Sequence, residues 1–179
     1  MDAQNLSSPP RAADAAEVDW EAVYWRWMPR VYNFFRYQMG DDALAEYLTA
    51  TTFAKAWHSR QRYRDDLGAF STWLFSIAHN VAADHFRRRR PHLSLESLPH
   101  LPDGSRPLDE VIEHRGDSAR LTALLNRLPA HDRELIALKY GAELTNRAIA
   151  GLVGMSESNV GTRLHRIVQK LREQWDRAT

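Results

Sequence analysis

Residues 144–175 read LTNRAIAGLVGMSESNVGTRLHRIVQKLREQW. Two amphipathic runs meet there at Gly154-Met155, where a tight turn is required, and Ser156 stands where the second run needs an N-cap. In the second run Val160, Leu164, Ile167, Leu171 and Trp175 recur at helical steps and face inward, beside a polar stripe of Asn159, Arg163, Arg166 and Lys170. This is the layout of a helix-turn-helix, whose second helix enters the major groove of DNA and reaches base edges with its first turns. Glu157, Ser158, Asn159 and Thr162 then stand where base or phosphate contacts are made, and Arg163 and Arg166 suit phosphates or guanine edges. A two-helix corner of a core shares the apolar pattern; the basic stripe favours DNA. Gly161 costs about 1 kcal/mol relative to alanine inside a helix, so it either permits a close backbone approach or is drift.

Upstream, the pattern stays helical, with no segment of convincing strand alternation. Leu121, Leu124, Leu125 and Leu128 form one apolar stripe, and Pro129 opens a further helix through Leu135, Leu138 and Tyr140. Before them PHLSLESLPHLPDGSRP, residues 91–107, has neither regular period and reads as a linker. Trp20, Val23, Tyr24, Trp27, Val31, Phe34 and Phe35 recur at steps of three and four, a helix that Pro29 is expected to bend or break. Asp41 or Asp42 can cap the helix that follows, LAEYLTATTFAKAW at residues 44–57. Residues 58–68 lose the pattern in an Arg-rich loop, and Phe70, Leu74, Ile77, Val81 and His85 restore it up to the run Arg87–Arg90. The expected fold is all-α: a tail at 1–19, a helical domain at 20–91, a flexible linker at 92–116 and a helix-turn-helix domain at 117–179.

Composition narrows the function classes. Of 179 residues, 44% are hydrophobic and 26% charged, ordinary shares that allow a real core. The absence of cysteine excludes disulfides and thiolate metal sites and fits a reducing cytoplasm. No apolar run is long enough to span a bilayer and no signal peptide is legible, so a cytoplasmic protein with no membrane partner is expected. The net charge of +1 hides three basic clusters, each at the edge of an amphipathic helix. Around the first two of these, at residues 60–64 and 87–90, Arg60, Arg62, Tyr63, Trp73, Asn80, Arg87 and Arg88 mix aromatic faces, on which bases of an opened strand stack, with cations that track a backbone. Phe70 reads as core rather than platform. His79, Asp84 and His85 spread around their helix, so no metal is expected. No nucleophile grouping, phosphate loop or carboxylate pair suggests catalysis or a cofactor.

FSTWLFSIAHNVAADHFRRRR at residues 70–90, and the pattern LP-x-x-x-R-E-L-I-A-L-K-Y ahead of the helix-turn-helix, resemble the bacterial RNA polymerase sigma factors. The likeness is to the small extracytoplasmic-function (ECF) group of the sigma-70 family, and it covers about residues 20–90 and 119–175. The resemblance implies a protein that binds core polymerase at the beta-prime clamp helices and the beta flap, reads promoter DNA and opens the minus-ten region. It assigns Arg60, Arg62, Tyr63, Trp73, Asn80, Arg87 and Arg88 to the minus-ten element. Glu157, Ser158, Asn159, Thr162, Arg163 and Arg166 fall to the minus-thirty-five element, although Asn159 and Gly161 replace more usual residues. The loop at 60–68 would capture a flipped base, and the enzymatic step belongs to polymerase.

One departure stands out. Where the group typically reads Asp-Ala-Glu-Asp-Leu-Thr-Gln-Glu-Thr-Phe, an acidic surface that grips the clamp, this chain reads Leu44-Ala-Glu-Tyr-Leu-Thr-Ala-Thr-Thr-Phe53. Of the acids only Glu46 remains, on a face whose other candidate contacts are Tyr47, Ala50 and Thr51. Helical spacing puts Tyr47, Ala50, Thr51 and Ala54 on one face and Leu48, Thr49, Thr52, Phe53 and Ala56 largely on the other. Three readings fit: drift offset by other contacts, a decoy or DNA-binding regulator that has lost polymerase, or a switch in which a Ser/Thr kinase phosphorylates Thr51 and restores the charge. The switch is preferred, because Thr51 is the hydroxyl on the outward face. An anti-sigma protein is a further partner the resemblance suggests, and nothing in the sequence identifies one.

Overall fold

The computed structural model describes residues 19–64, 69–89 and 112–177. The expected tail, most of the linker and the loop tip at 65–68 lie outside them. Among the described residues all regular structure is helical.

Helix α1 (Trp20–Met39) starts on Asp19, whose carboxylate accepts from the amides of Glu21 and Ala22, each at 3.1 Å. Pro29 does not break it: the helix runs through as one element. The amide that proline lacks is offset by packing, since Val31, Phe34 and Phe35, just past it, are fully buried. Gly40 ends α1 at φ 69°, a left-handed conformation that favours glycine. Of the two candidate caps, Asp41 caps α2 (Asp42–Ser59), accepting from Leu44 N at 2.8 Å. A short 3₁₀ turn, Arg60–Arg62, leads away, and α3 (Phe70–Arg89) returns across both helices. Phe34, Phe35, Leu48, Thr52, Leu74 and Phe75 fill the space between the three.

The C-terminal part comprises α4 (Ile112–Asn126), α5 (Ala130–Ile136), α6 (Asn146–Val153) and α7 (Glu157–Arg177). Helix α5 runs into a π turn, Ala137–Gly141. Thr145 caps α6, accepting from Ala148 N, and Gly154 closes it at φ 69°. Ser156 Oγ then accepts from Asn159 N at 3.2 Å to start α7. Leu135, Leu138, Ile149, Val160, Leu164 and Ile167 are buried between these helices, so the helix-turn-helix has its own apolar support.

The two parts meet along α1. A Cβ on Gly141 would lie 2.8 Å from both the Asn33 carbonyl oxygen and the Phe34 amide nitrogen, so the π turn sits directly on the α1 backbone. Beside it the Arg30 guanidinium donates to the Ala142 carbonyl at 2.6 and 2.9 Å and to the Glu143 carbonyl at 3.0 Å. Glu143, at φ 54°, is the non-glycine residue with positive φ among those described, at the turn that presents both carbonyls to Arg30.

Across the same seam His79 Nδ1 of α3 lies 2.9 Å from Glu134 of α5, whose carboxylate His131 shares at 3.6 Å. The contact with Glu134 raises the His79 pKa against the opposing effect of burial. A raised folded pKa means the stabilisation is full below the unfolded value of about 6.5 and is lost as pH rises through the folded value. At this half-buried, solvent-screened site the pair is worth at most about 1 kcal/mol. Urea unfolding is therefore expected to weaken more between about pH 6 and pH 8 in the native chain than in His79→Gln. Parallel pH profiles would show that the pair contributes nothing.

Candidate functional site

The outer face of α2 divides as helical spacing predicts. Leu48, Thr49, Thr52 and Ala56 are buried, and Phe53 is half-buried against Tyr24 of α1. Thr49 and Thr52 spend their hydroxyls on the carbonyls of Ala45 (2.7 Å) and Leu48 (2.8 Å), four residues back. Glu46, Tyr47, Ala50 and Ala54 are exposed, Tyr47 to 65%. Thr51 is half-buried at the edge of this face, and its Oγ1 donates to the Tyr47 carbonyl at 2.9 Å. Of the three threonines it is the one whose side chain opens onto the surface, into a groove shared with Ala54, Lys55, His58, Ile77 and Asn80.

Around α3 the candidate DNA residues fall into two sets. Tyr63 packs on Phe70 and Trp73, each at 5.3 Å between ring centroids, and Trp20 closes on Phe70 and Trp73 from α1. Phe70 is half-buried in this cluster, which makes it a support. Arg62, Tyr63, Thr72, Trp73 and Ser76 line a depression of about 240 Å³, open at the surface beside the loop. Trp73, Asn80 and Arg87 repeat at seven-residue spacing, so they form one stripe along α3, with Asn80, Arg87 and Arg88 exposed. Arg60 stacks on the end of α2: its guanidinium lies 4.0 Å from the Trp57 ring and donates to the Trp57 carbonyl. Arg87 pairs with Asp84, which also holds Lys55 of α2 at 3.4 Å.

On α7 Glu157, Ser158, Asn159, Thr162 and Arg166 are exposed, as a surface that reads a partner must be. Arg163 Nε donates to Asp132 of α5 at 2.7 Å, a contact that local periodicity does not reveal because 31 residues separate the pair. Asp132, Asn159, Thr162, Arg163, Arg166 and Lys170 rim a cavity of about 310 Å³. A Cβ on Gly161 would come within 3.3 Å of the Asn146 side-chain amide, so this glycine lets α6 and α7 approach closely. Among the described residues there is no acidic or histidine cluster able to hold a metal, and no helix is long and apolar enough to cross a membrane.

Comparison with known proteins agrees with this geometry. Residues 23–92 match the family model Sigma-70 region 2, and residues 118–171 match Sigma-70, region 4. The RNA polymerase sigma factor CarQ of Myxococcus xanthus is 32% identical over 166 residues, covering 91% of this chain and 92% of CarQ. The ECF RNA polymerase sigma factor SigL of Mycobacterium tuberculosis is 31% identical, with 84% and 81% covered. This chain belongs to the ECF sigma factors. The sigma factor also spans 61% of the longer ECF RNA polymerase sigma factor BldN of Streptomyces coelicolor, at 31% identity. Its fold matches that of the sigma factor RpoE of Bartonella quintana, solved in complex with the anti-sigma factor NepR. The TM-score is 0.67 over 88% of this chain and 97% of that one, at 22% identity. In this sigma factor α1–α3 therefore correspond to region 2 and α4–α7 to region 4.

Proposed function

We propose that this ECF sigma factor directs core RNA polymerase to specific promoters, and that phosphorylation of Thr51 by a Ser/Thr kinase makes its docking conditional. Glu46, Tyr47, Ala50 and Thr51 form the polymerase-docking face, against the beta-prime clamp helices, with region 4 set for the beta flap. Arg62, Tyr63 and Trp73 receive an unstacked base of the minus-ten element, while Arg60, Asn80, Arg87 and Arg88 follow its backbone. Glu157, Ser158, Asn159, Thr162, Arg163 and Arg166 read the minus-thirty-five element. The chain works in the cytoplasm, the stretch expected at residues 92–116, whose last five residues already belong to α4, links the two domains, and bond formation is left to polymerase. The anti-sigma complex of the Bartonella quintana relative makes an anti-sigma protein a natural further partner.

One observation carries the conditional part. The docking face keeps a single acid, Glu46, and of the three threonines of α2 only Thr51 opens onto the surface. Phosphorylation passes the terminal phosphoryl group of a nucleoside triphosphate to Thr51 Oγ1; the hydroxyl loses its proton and the diphosphate leaves. The product carries about −1.5 to −2 charges where the family has a glutamate. The test is run-off transcription from genomic promoter fragments with purified core polymerase, comparing unmodified and Thr51-phosphorylated protein. Transcripts are expected from the phosphorylated form. DNA binding without transcription in either form would favour the decoy reading, in which the lost acids mark a regulator that has left polymerase.

A further inference from the structure

We propose that Lys55 receives the Thr51 phosphate, and that in doing so it gives up its tie to Asp84 on α3. This rests on the reading of Thr51 as a modified residue and adds where the phosphate goes within the chain. Thr51 and Lys55 stand four residues apart on α2, so their side chains lie one above the other, and both line the groove against Ile77 and Asn80 of α3. In the unmodified protein Lys55 Nζ sits 3.4 Å from Asp84 Oδ2, with its side chain 51% exposed, a weak and replaceable pair. The other Asp84 oxygen is already held by Arg87. His58, the neighbouring ring in the groove, spends Nδ1 on the Ala54 carbonyl at 2.7 Å.

Charge decides where Lys55 goes. A phosphate approaching two negative charges, four residues away on the same helix, outcompetes a single carboxylate already shared with an arginine. Once Oγ1 carries phosphorus it has no proton to donate to Tyr47, so the contact that now points Thr51 along its own helix is lost. With Lys55 bound, the phosphate still presents about one negative charge outward, the charge of a glutamate at this position. Asp84 is left to Arg87, so a modification on the docking helix changes the ion pairing of the helix that carries Asn80, Arg87 and Arg88.

The experiment uses the full chain with phosphothreonine installed at position 51 during translation, and follows the second ionisation of the phosphate by 31P NMR. The titration midpoint is expected to rise by about 0.2–0.4 of a pH unit in Lys55→Met. In Asp84→Asn, where Lys55 loses its competitor, it is expected to fall, and that fall should largely vanish in the double variant with Lys55→Met. A midpoint that ignores Lys55→Met overturns the proposal, as does an Asp84→Asn shift of the same size with and without Lys55. Core-polymerase binding of the same samples separates the two claims. If phosphate strengthens binding while the midpoint ignores Lys55, the receiver is wrong and the switch stands; if the midpoint follows Lys55 while binding ignores phosphate, the receiver stands without the switch.

Discussion

Gly141→Ala is expected to destabilise this sigma factor by about 1–3 kcal/mol, the usual cost of forcing a methyl group into a filled space. In an open helical position the same change stabilises by up to about 1 kcal/mol, because alanine is the better helix former. Position 141 reverses the sign. The added Cβ would meet the Asn33 carbonyl oxygen and the Phe34 amide nitrogen at 2.8 Å, and both are α1 backbone atoms that cannot rotate aside. Either α1 and the π turn separate, with loss of the Arg30 bonds to Ala142 and Glu143, or the π turn distorts around buried Leu138 and Ala142. Gly151 is the internal control, since it is exposed on α6 with nothing within 4 Å of its Cβ position. Urea denaturation of the two alanine variants should move in opposite directions. Neutral behaviour of Gly141→Ala would mean that the seam between regions 2 and 4 is not close-packed in solution.

Phosphorylation at Thr51 is expected to raise affinity for core polymerase by about tenfold to a hundredfold. One charge-assisted hydrogen bond to a basic group of the partner is worth about 1.5–3 kcal/mol, and each 1.4 kcal/mol is a factor of ten. Thr51→Ala should bind at the unmodified level and stay there after kinase treatment. Thr51→Glu should recover part of the gain, since it returns one charge without the phosphate's extra acceptors. Thr49 and Thr52 do not substitute: both are buried, and their hydroxyls are committed to Ala45 and Leu48. A kinase cannot reach them without opening the interface between α2 and its neighbours.

Much of this architecture was legible in the sequence because its signals are local. The helix-turn-helix announces itself by Gly154, Ser156 and a sustained apolar period, and each of these marks a position the structure uses. The faces of α2 were legible for the same reason: a period of 3.6 residues separates Thr51 from Thr49 and Thr52 without knowledge of any neighbour. That α1 continues unbroken through Pro29 was not legible, because it depends on the packing around Val31, Phe34 and Phe35, which no local rule supplies. The Arg30 contact was out of reach, since its acceptors are backbone carbonyls 112 and 113 residues away. Asp132 escaped similarly, its partner Arg163 lying on another helix. Arg60 is the instructive case. Its stacking on Trp57, three residues earlier, was within reach of helical spacing but went unread, and it stands beside the expected DNA contact of the same side chain.

The most direct test of the conditional docking face is the equilibrium affinity of purified core RNA polymerase for three forms of the full chain: unmodified, phosphorylated at Thr51, and Thr51→Ala carried through the same kinase reaction. The expected order is tight binding for the phosphorylated form alone, at least about tenfold above the other two. Binding by the unmodified chain as tight as that of an acidic ECF sigma factor measured alongside would contradict it, and would mean that Tyr47, Ala50 and Glu46 hold the polymerase without added charge.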